Sequence, residues 1–404
     1  MTSDDTFRAE ARAWLDAHVA PYRVMVDRDS PSLVFADVSD TEHVERGRAW
    51  QRELFDGGYA GLGWPTEHGG RGLPISHRVA WAQEAAAAGV PPGINLIGES
   101  IVGPALIAHG TEEQKLRYLR PMLRGDEIWC QLFSEPEAGS DIAAVRTSAE
   151  RQNAGRGGGW RVSGHKLWAS AAHYADFGLL LARSDWHVPK HEGCTCFAVD
   201  MRAPGIRTQP LRQMTGGAAF NEVFLEGVSI ADSERVGTEG EGWAVARTTL
   251  WSERLNLGLG VARVAGGVDR ILRDFAASAV SADPVARQVA AQLYVESRCL
   301  QYLGEEAVAK LERGEMPGPE GTLAKLASTR VSRRSDELLD AMRGAGAMVW
   351  DDYSLVQLWV PATMIAGGTD EVLRTIVAER VLGLPRPPRA DKDVPFADLV
   401  EGTT

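Results

Sequence analysis

No window of this 404-residue chain approaches the roughly 20 continuous apolar residues that a bilayer-spanning helix needs, so no membrane-crossing segment is expected. The start, Met1-Thr2-Ser3-Asp4-Asp5, is acidic where a secretory signal would be basic and then apolar, which predicts a cytoplasmic protein. Cysteine is scarce: Cys130, Cys194, Cys196 and Cys299 are too few and too scattered for a disulfide framework. His191 with Cys194 and Cys196 lacks a fourth nearby ligand, so no metal site is expected. Long basic runs are missing too, and a net charge of -12 argues against nucleic acid or an anionic membrane as the main partner. No internal repeat is evident.

What remains is an ordinary globular composition, 44% hydrophobic and 24% charged, with length for two or three domains. Phe7, Ala11, Trp14 and Leu15 recur at helical spacing. A second helix is predicted from Ser76 through Ala88, more helix around Gly103-Pro104, and a further one from Thr111-Glu112-Glu113-Gln114 to Leu123, where threonine followed by acids reads as an N-cap. The texture changes after Trp129. Trp160-Arg161-Val162-Ser163-Gly164, Phe177 to Leu181, Cys196 to Asp200 and Phe220 to Phe224 read as strands separated by glycines. Helical patterning returns from Trp243 to Leu272, Pro284 to Glu312, Gly321 to Met342 and Thr369 to Leu382. The expected order is a helical domain over 1–128, a β domain over 129–236 and a helical domain over 237–404, with a Pro-rich, charged tail beyond Pro385 loosely held.

One stretch stands at the first of these transitions. In Trp129-Cys130-Gln131-Leu132-Phe133-Ser134-Glu135-Pro136-Glu137-Ala138-Gly139-Ser140-Asp141, an apolar strand breaks into small polar residues on a turn. Such residues make ordinary loops, but they also let backbone amides and short hydroxyls approach a flat ligand closely.

The remaining motifs decide between these readings. Gly63-Trp64-Pro65 with Gly69-Gly70-Arg71-Gly72, Gly103-Pro104, His109 to Gln114, Ser134 to Asp141, and Gly164-His165-Lys166-Leu167-Trp168-Ala169-Ser170 follow one another in the N-terminal half. Phe220-Asn221-Glu222-Val223, Gly240-Glu241-Gly242-Trp243 and Gly367-Gly368-Thr369-Asp370-Glu371-Val372-Leu373-Arg374, then Ala378-Glu379-Arg380, complete the series. In this order and spacing the chain resembles the acyl-CoA dehydrogenases over nearly its whole length.

That resemblance implies an α+β fold with an N-terminal helical domain, a middle β-barrel-like domain and a C-terminal four-helix bundle. It implies FAD as cofactor and acyl-CoA as substrate, a base taking the α-proton while the β-hydrogen leaves as hydride, and electrons passed to an electron-transfer flavoprotein. A weakly acidic α-proton requires a carboxylate in a water-poor pocket, and a flavin requires neutral donors at its edge and aromatic cover on its face. By position, Gln131, Phe133 and Ser134 resemble the flavin edge, Trp168 the residue packed on the ring and Ser170 a hydroxyl near it. Ser140 resembles a contact to the CoA arm. Thr369 and Glu371 resemble positions that hold FAD, Gly344 resembles the turn that meets its adenosine part, and Gly368 lies where the acyl end passes.

Many members of the family carry the catalytic glutamate immediately before the Gly-Thr pair, where this chain has Gly367. Others place it on the first long helix of the C-terminal domain beside an arginine, and Thr249-Leu250-Trp251-Ser252-Glu253-Arg254 fits that arrangement. Glu253 is the expected base and Arg254 its substrate-side neighbour; the apolar Leu250, Trp251 and Leu255 set Glu253 apart from a glutamate on a solvated helix face.

Three departures qualify the pattern. Glu137 replaces a glycine usual inside the Ser-Glu-Pro motif, a repulsive charge toward phosphates unless it points away. Ala276-Ala277-Ser278-Ala279-Val280 occupies the region where an Arg and a Phe commonly reach a neighbouring subunit's FAD, and Met342 to Gly346 only loosely matches the glycine-rich turn. These gaps point to a homodimer or tetramer, or to a heterotetramer with a related subunit, acting in fatty-acid or steroid side-chain catabolism. An oxidase or monooxygenase on the same scaffold, or a non-catalytic FAD-holding subunit, are the alternatives.

Overall fold

The computed structural model describes residues 3–25, 41–90, 93–152, 158–259, 261–315, 318–386, 388 and 391–401. Twelve α-helices and eight strands lie among them. The N-terminal helices are α1 (Ser3–His18), α2 (Thr41–Asp56), α3 (Ile75–Ala88), α4 (Gly103–His109) and α5 (Glu112–Arg124). The strands are β1 (Trp129–Leu132), β2 (Ser148–Gln152), β3 (Gly159–Ser170), β4 (Phe177–Arg183), β5 (Cys194–Asp200), β6 (Ile206–Leu211), β7 (Phe220–Ala231) and β8 (Arg235–Val236). The C-terminal helices are α6 (Gly242–Leu259), α7 (Val261–Ala277), α8 (Pro284–Glu312), α9 (Glu320–Arg343), α10 (Asp352–Thr363), α11 (Asp370–Arg380) and α12 (Phe396–Glu401). Among the described residues no helix is long and apolar enough to cross a membrane.

The chain divides into two compact units. One comprises residues 34–70, 92–252 and 387–404 and is built on a single eight-stranded sheet. Its strands run in the order β6-β7-β3-β2-β4-β5-β8, with β1 added parallel to β4, Trp129 opposite Phe177 and Leu132 opposite Leu180. Alternating positions of β3 and β7 place Trp160, Val162, Val223 and Leu225 in the core, while β4 and β5 are apolar almost throughout. Helix α5 begins with a reciprocal capping box: Gln114 N–H donates to Thr111 Oγ1 and the Thr111 amide donates to Gln114 Oε1. The Trp64 ring lies so close to Gly103 that a Cβ there would collide with it, which explains the pairing of those two motifs structurally.

The described segment 391–401 of the tail beyond Pro385 is not loosely held. Phe396 is buried, its amide donates to the Val188 carbonyl at 3.0 Å, and the Ala397 amide donates to Trp186 O at 2.8 Å. The expectation failed because a Pro-rich, charged approach hides a short amphipathic turn, Phe396, Leu399 and Val400, from periodicity.

The other unit, residues 1–33, 71–91 and 253–386, is helical. Phe7, Ala11 and Leu15 of α1 are buried, and its Arg8 and Arg12 ion-pair with Glu84 of α3. Val268 and Phe275 of α7 join Leu293 and Leu300 of α8 and Ala324, Val331 and Leu338 of α9 in one core cluster. Across the stretch read as helical from Trp243 to Leu272 the described residues are helical on both sides of residue 260, which lies outside them.

Candidate active site

Beyond β1 the chain turns sharply, with Glu135 and Ala138 exchanging backbone hydrogen bonds at 3.0 and 3.1 Å. Glu135 is buried and organises the loop from within: its carboxylate accepts from the Arg146 and Thr147 amides at 2.6 and 3.0 Å and from Lys166 Nζ at 2.7 Å. Lys166, fully buried, also donates to the carbonyls of Phe133 and Leu181 at 3.1 and 2.7 Å. Burial alone would raise the Glu135 carboxyl, but the adjacent Lys166 charge and the converging donors prevail and hold it below its usual range. The loop is therefore fixed by an internal ion pair.

Glu137 points out of this loop to Arg146, 2.5 Å away, with both side chains substantially exposed. Its charge is compensated at the surface.

The same buried lysine leads to the second part of the site. Between Lys166 and Ala169 the β3–β7 register shifts, and Trp168 sits in the left-handed region at φ 60. A bulge re-aims a side chain, and a bulky residue at positive φ costs on the order of 1–3 kcal/mol, tolerated where the surroundings over-determine it. Here the Leu167 amide donates to Ser134 O at 2.8 Å, and the Trp168 indole, 57% exposed, meets Phe220 edge-on at 6.0 Å. The structure thus brings Phe133 and Ser134 against the Trp168 bulge. Phe133 is buried, Gln131, Ser134 and Ser170 are half-buried, and Ser140 is exposed farther along the loop. A flat exposed aromatic on a rigid strand, beside short polar groups, fits an isoalloxazine ring.

Within the helical unit, Gly367 and Gly368 both take positive φ, 68 and 94, immediately before Thr369. A glutamate at position 367 would be strained there, in accord with its absence. Thr369 caps α11, its hydroxyl accepting from the Val372 amide at 3.2 Å. Asp370, next to it, is buried and accepts from Lys325 Nζ at 3.0 Å and from Thr329 Oγ1. Glu371 is exposed and 3.8 Å from Arg374. Gly344 ends α9 at φ 52 and is exposed. Glu253 lies on α6 and is half-buried, following the buried Thr249 and Ser252; Trp251 is exposed. The side chains of Arg254 and Leu255 lie outside the described residues.

Several supporting residues were not legible as such: Glu135, Lys166, Lys325 and Asp370. Each is a charge inside a core, where polarity predicts solvent exposure. The signal available for Glu135, Lys166 and Asp370 was only their place within motifs already noted.

Sequence profiles of three domain families match the chain: Acyl-CoA dehydrogenase, N-terminal domain, over residues 2–126; middle domain, over 130–228; and C-terminal domain, over 240–382. The chain is similar to acyl-CoA dehydrogenase IpdE1 of Mycolicibacterium smegmatis, 36% identical over 399 residues, with 96% of this chain and 99% of that protein covered. It is 39% identical over 341 residues to acyl-CoA dehydrogenase FadE34 of Mycobacterium tuberculosis, covering 83% of this chain and 46% of that protein. Among solved structures it superposes on the Tcur3481-Tcur3483 steroid ACAD with a TM-score of 0.82 at 28% identity, covering 95% of this chain and 98% of that one. The ChsE4-ChsE5 complex from Mycobacterium tuberculosis gives 0.80 at 25% identity, with 96% and 99% covered.

Proposed function

Because the chain belongs to the acyl-CoA dehydrogenase family, we propose that it binds FAD and converts an acyl-CoA thioester to its 2-enoyl-CoA, with an electron-transfer flavoprotein as electron acceptor. The observation that carries this reading is the Trp168 bulge tied to Ser134, an exposed ring on a strained strand that wants a flat partner. FAD, when bound, supplies the acceptor for the substrate's β-hydride. Gln131, Phe133, Ser134, Trp168 and Ser170 would hold its ring, and Gly344, Thr369 and Glu371 the rest of it.

Glu253 takes the substrate's α-proton onto its carboxylate. Loss of water on substrate binding raises that carboxylate's proton affinity toward the value a general base needs. Ser140, Arg254 and Gly368 meet the thioester end, the substrate beside the base and the passing acyl chain. The chain works through domains at 1–128, 129–236 and 237–404. Its similarity to the Tcur3481-Tcur3483 steroid ACAD and to the ChsE4-ChsE5 complex favours a bulky, steroid-type acyl group and an assembly that includes a related subunit.

Anaerobic flavin bleaching against short, branched, long and steroid-type acyl-CoAs tests the reading. Glu253→Gln is expected to keep FAD and to slow bleaching by about 10²–10⁴-fold, the usual worth of a general base. Full activity in that variant would show that the base lies elsewhere.

A further inference from the structure

The loop that carries Ser140 is held from below by a residue outside the proposed catalytic set. Arg183, at the end of β4, is fully buried. Its Nε donates to Val145 O at 3.0 Å, and its Nη2 donates to Ala143 O at 2.5 Å and Lys190 O at 3.1 Å. One guanidinium thus gathers two carbonyls of the loop and one of the β4–β5 connection. Its carbon lies 3.8 Å from the centroid of the Phe396 ring. Phe396 in turn is stitched to that connection by its own amide, which donates to the Val188 carbonyl, and by the Ala397 amide, which donates to the Trp186 carbonyl.

A second tie runs parallel to the first. Lys190, buried, bridges Asp141 at 2.6 Å and Asp391 at 2.7 Å, so the residue next to Ser140 is joined to the C-terminal segment through one ammonium. Both ties run from residues 391–397 to residues 141–145, one through Arg183 and the other through Lys190.

We propose that Phe396 is a positioning residue for acyl-CoA binding: seated against Arg183, and assisted by the Asp391–Lys190–Asp141 bridge, it fixes the 139–145 loop and with it Ser140. A loop ordered before the ligand arrives removes that ordering cost from binding. The proposal rests on the reading of Ser140 as a CoA contact.

Three full-length variants test it, Phe396→Ala, Phe396→Tyr and Asp391→Asn, each followed by amide hydrogen exchange and by acyl-CoA kinetics. In Phe396→Ala, exchange across 139–147 is expected to quicken about tenfold or more, and KM for acyl-CoA to rise by a similar factor, with kcat and FAD content held. Phe396→Tyr restores both. Asp391→Asn, which leaves the ring in place, moves both in the same direction by a smaller factor. A purely structural role would lower Tm and FAD content while leaving KM alone, and that result overturns the proposal. Unchanged exchange in both Phe396→Ala and Asp391→Asn overturns the tie itself. Quickened exchange in a protein whose wild type binds no acyl-CoA overturns instead the reading of Ser140, and the substrate role with it.

Discussion

At residue scale the Ser134–Asp141 segment divides its two glutamates between opposite tasks. Glu137 forms an exposed pair with Arg146, and exposed pairs contribute about 0–1 kcal/mol. Glu137→Gln is therefore expected to shift unfolding free energy by less than about 1 kcal/mol and to leave KM for acyl-CoA unchanged, as denaturant titration and steady-state kinetics would read. Glu135 is the contrary case. Removing one partner of a buried pair leaves the other charge uncompensated, so Glu135→Gln is expected to cost about 3–5 kcal/mol. The pH dependence carries a sign. The folded carboxyl is held below the ordinary 4.5, so its stabilisation is complete above that pH and is lost as pH falls through the lower folded value. Unfolding free energy of the wild type should fall as pH drops below 4.5, and the fall should be shallower in Glu135→Gln.

At the scale of elements, α11 shows one residue placed for two purposes. Thr369 caps the helix through its hydroxyl, and loss of such a cap costs about 1 kcal/mol. Thr369→Ala is expected to lower stability by about that amount and to weaken FAD retention, whereas Thr369→Ser keeps the cap and the cofactor; thermal unfolding and bound-flavin absorbance separate the variants. What could be read in the sequence follows the same logic of pattern. Helix α8 spans Pro284–Glu312 as its periodicity predicts, and β3, β4, β5 and β7 fall on the alternating or apolar runs. Helix α2 escaped notice because its buried face includes Gly47 and Gln51 beside Trp50 and Leu54, which breaks the apolar stripe. Helix α12 was masked by its flanks. Arg183 looks like the polar end of β4 and is instead a buried clamp, since partners 40 residues back and on the far tail leave no trace in local spacing. The motifs that carry the family were legible for the reverse reason, that each is contiguous in the chain.

The whole molecule presents large apolar side chains to solvent on the helical unit. Met348 is 90% exposed, Trp350 62%, Ile365 67% and Leu382 67%, too many for a surface that stays bare. Tyr294, Val295 and Tyr302 of α8 are also at least half exposed. The Ala276 to Val280 stretch, meanwhile, offers small residues where the family commonly sends an Arg and a Phe toward a neighbour's FAD. An apolar contact of this kind resists salt, unlike one between charged faces, which matters for a chain of net charge -12. Light scattering is therefore expected to give a mass well above 43.7 kDa at both low and high ionic strength. If a related subunit supplies the cross-contacts, protein expressed alone should carry less than one FAD per chain, and co-expression should restore the flavin and the bleaching together. A homotetramer with one FAD per chain and full turnover would instead show that this chain completes its own site, and the small residues at 276–280 would then need a different partner within the same chain type.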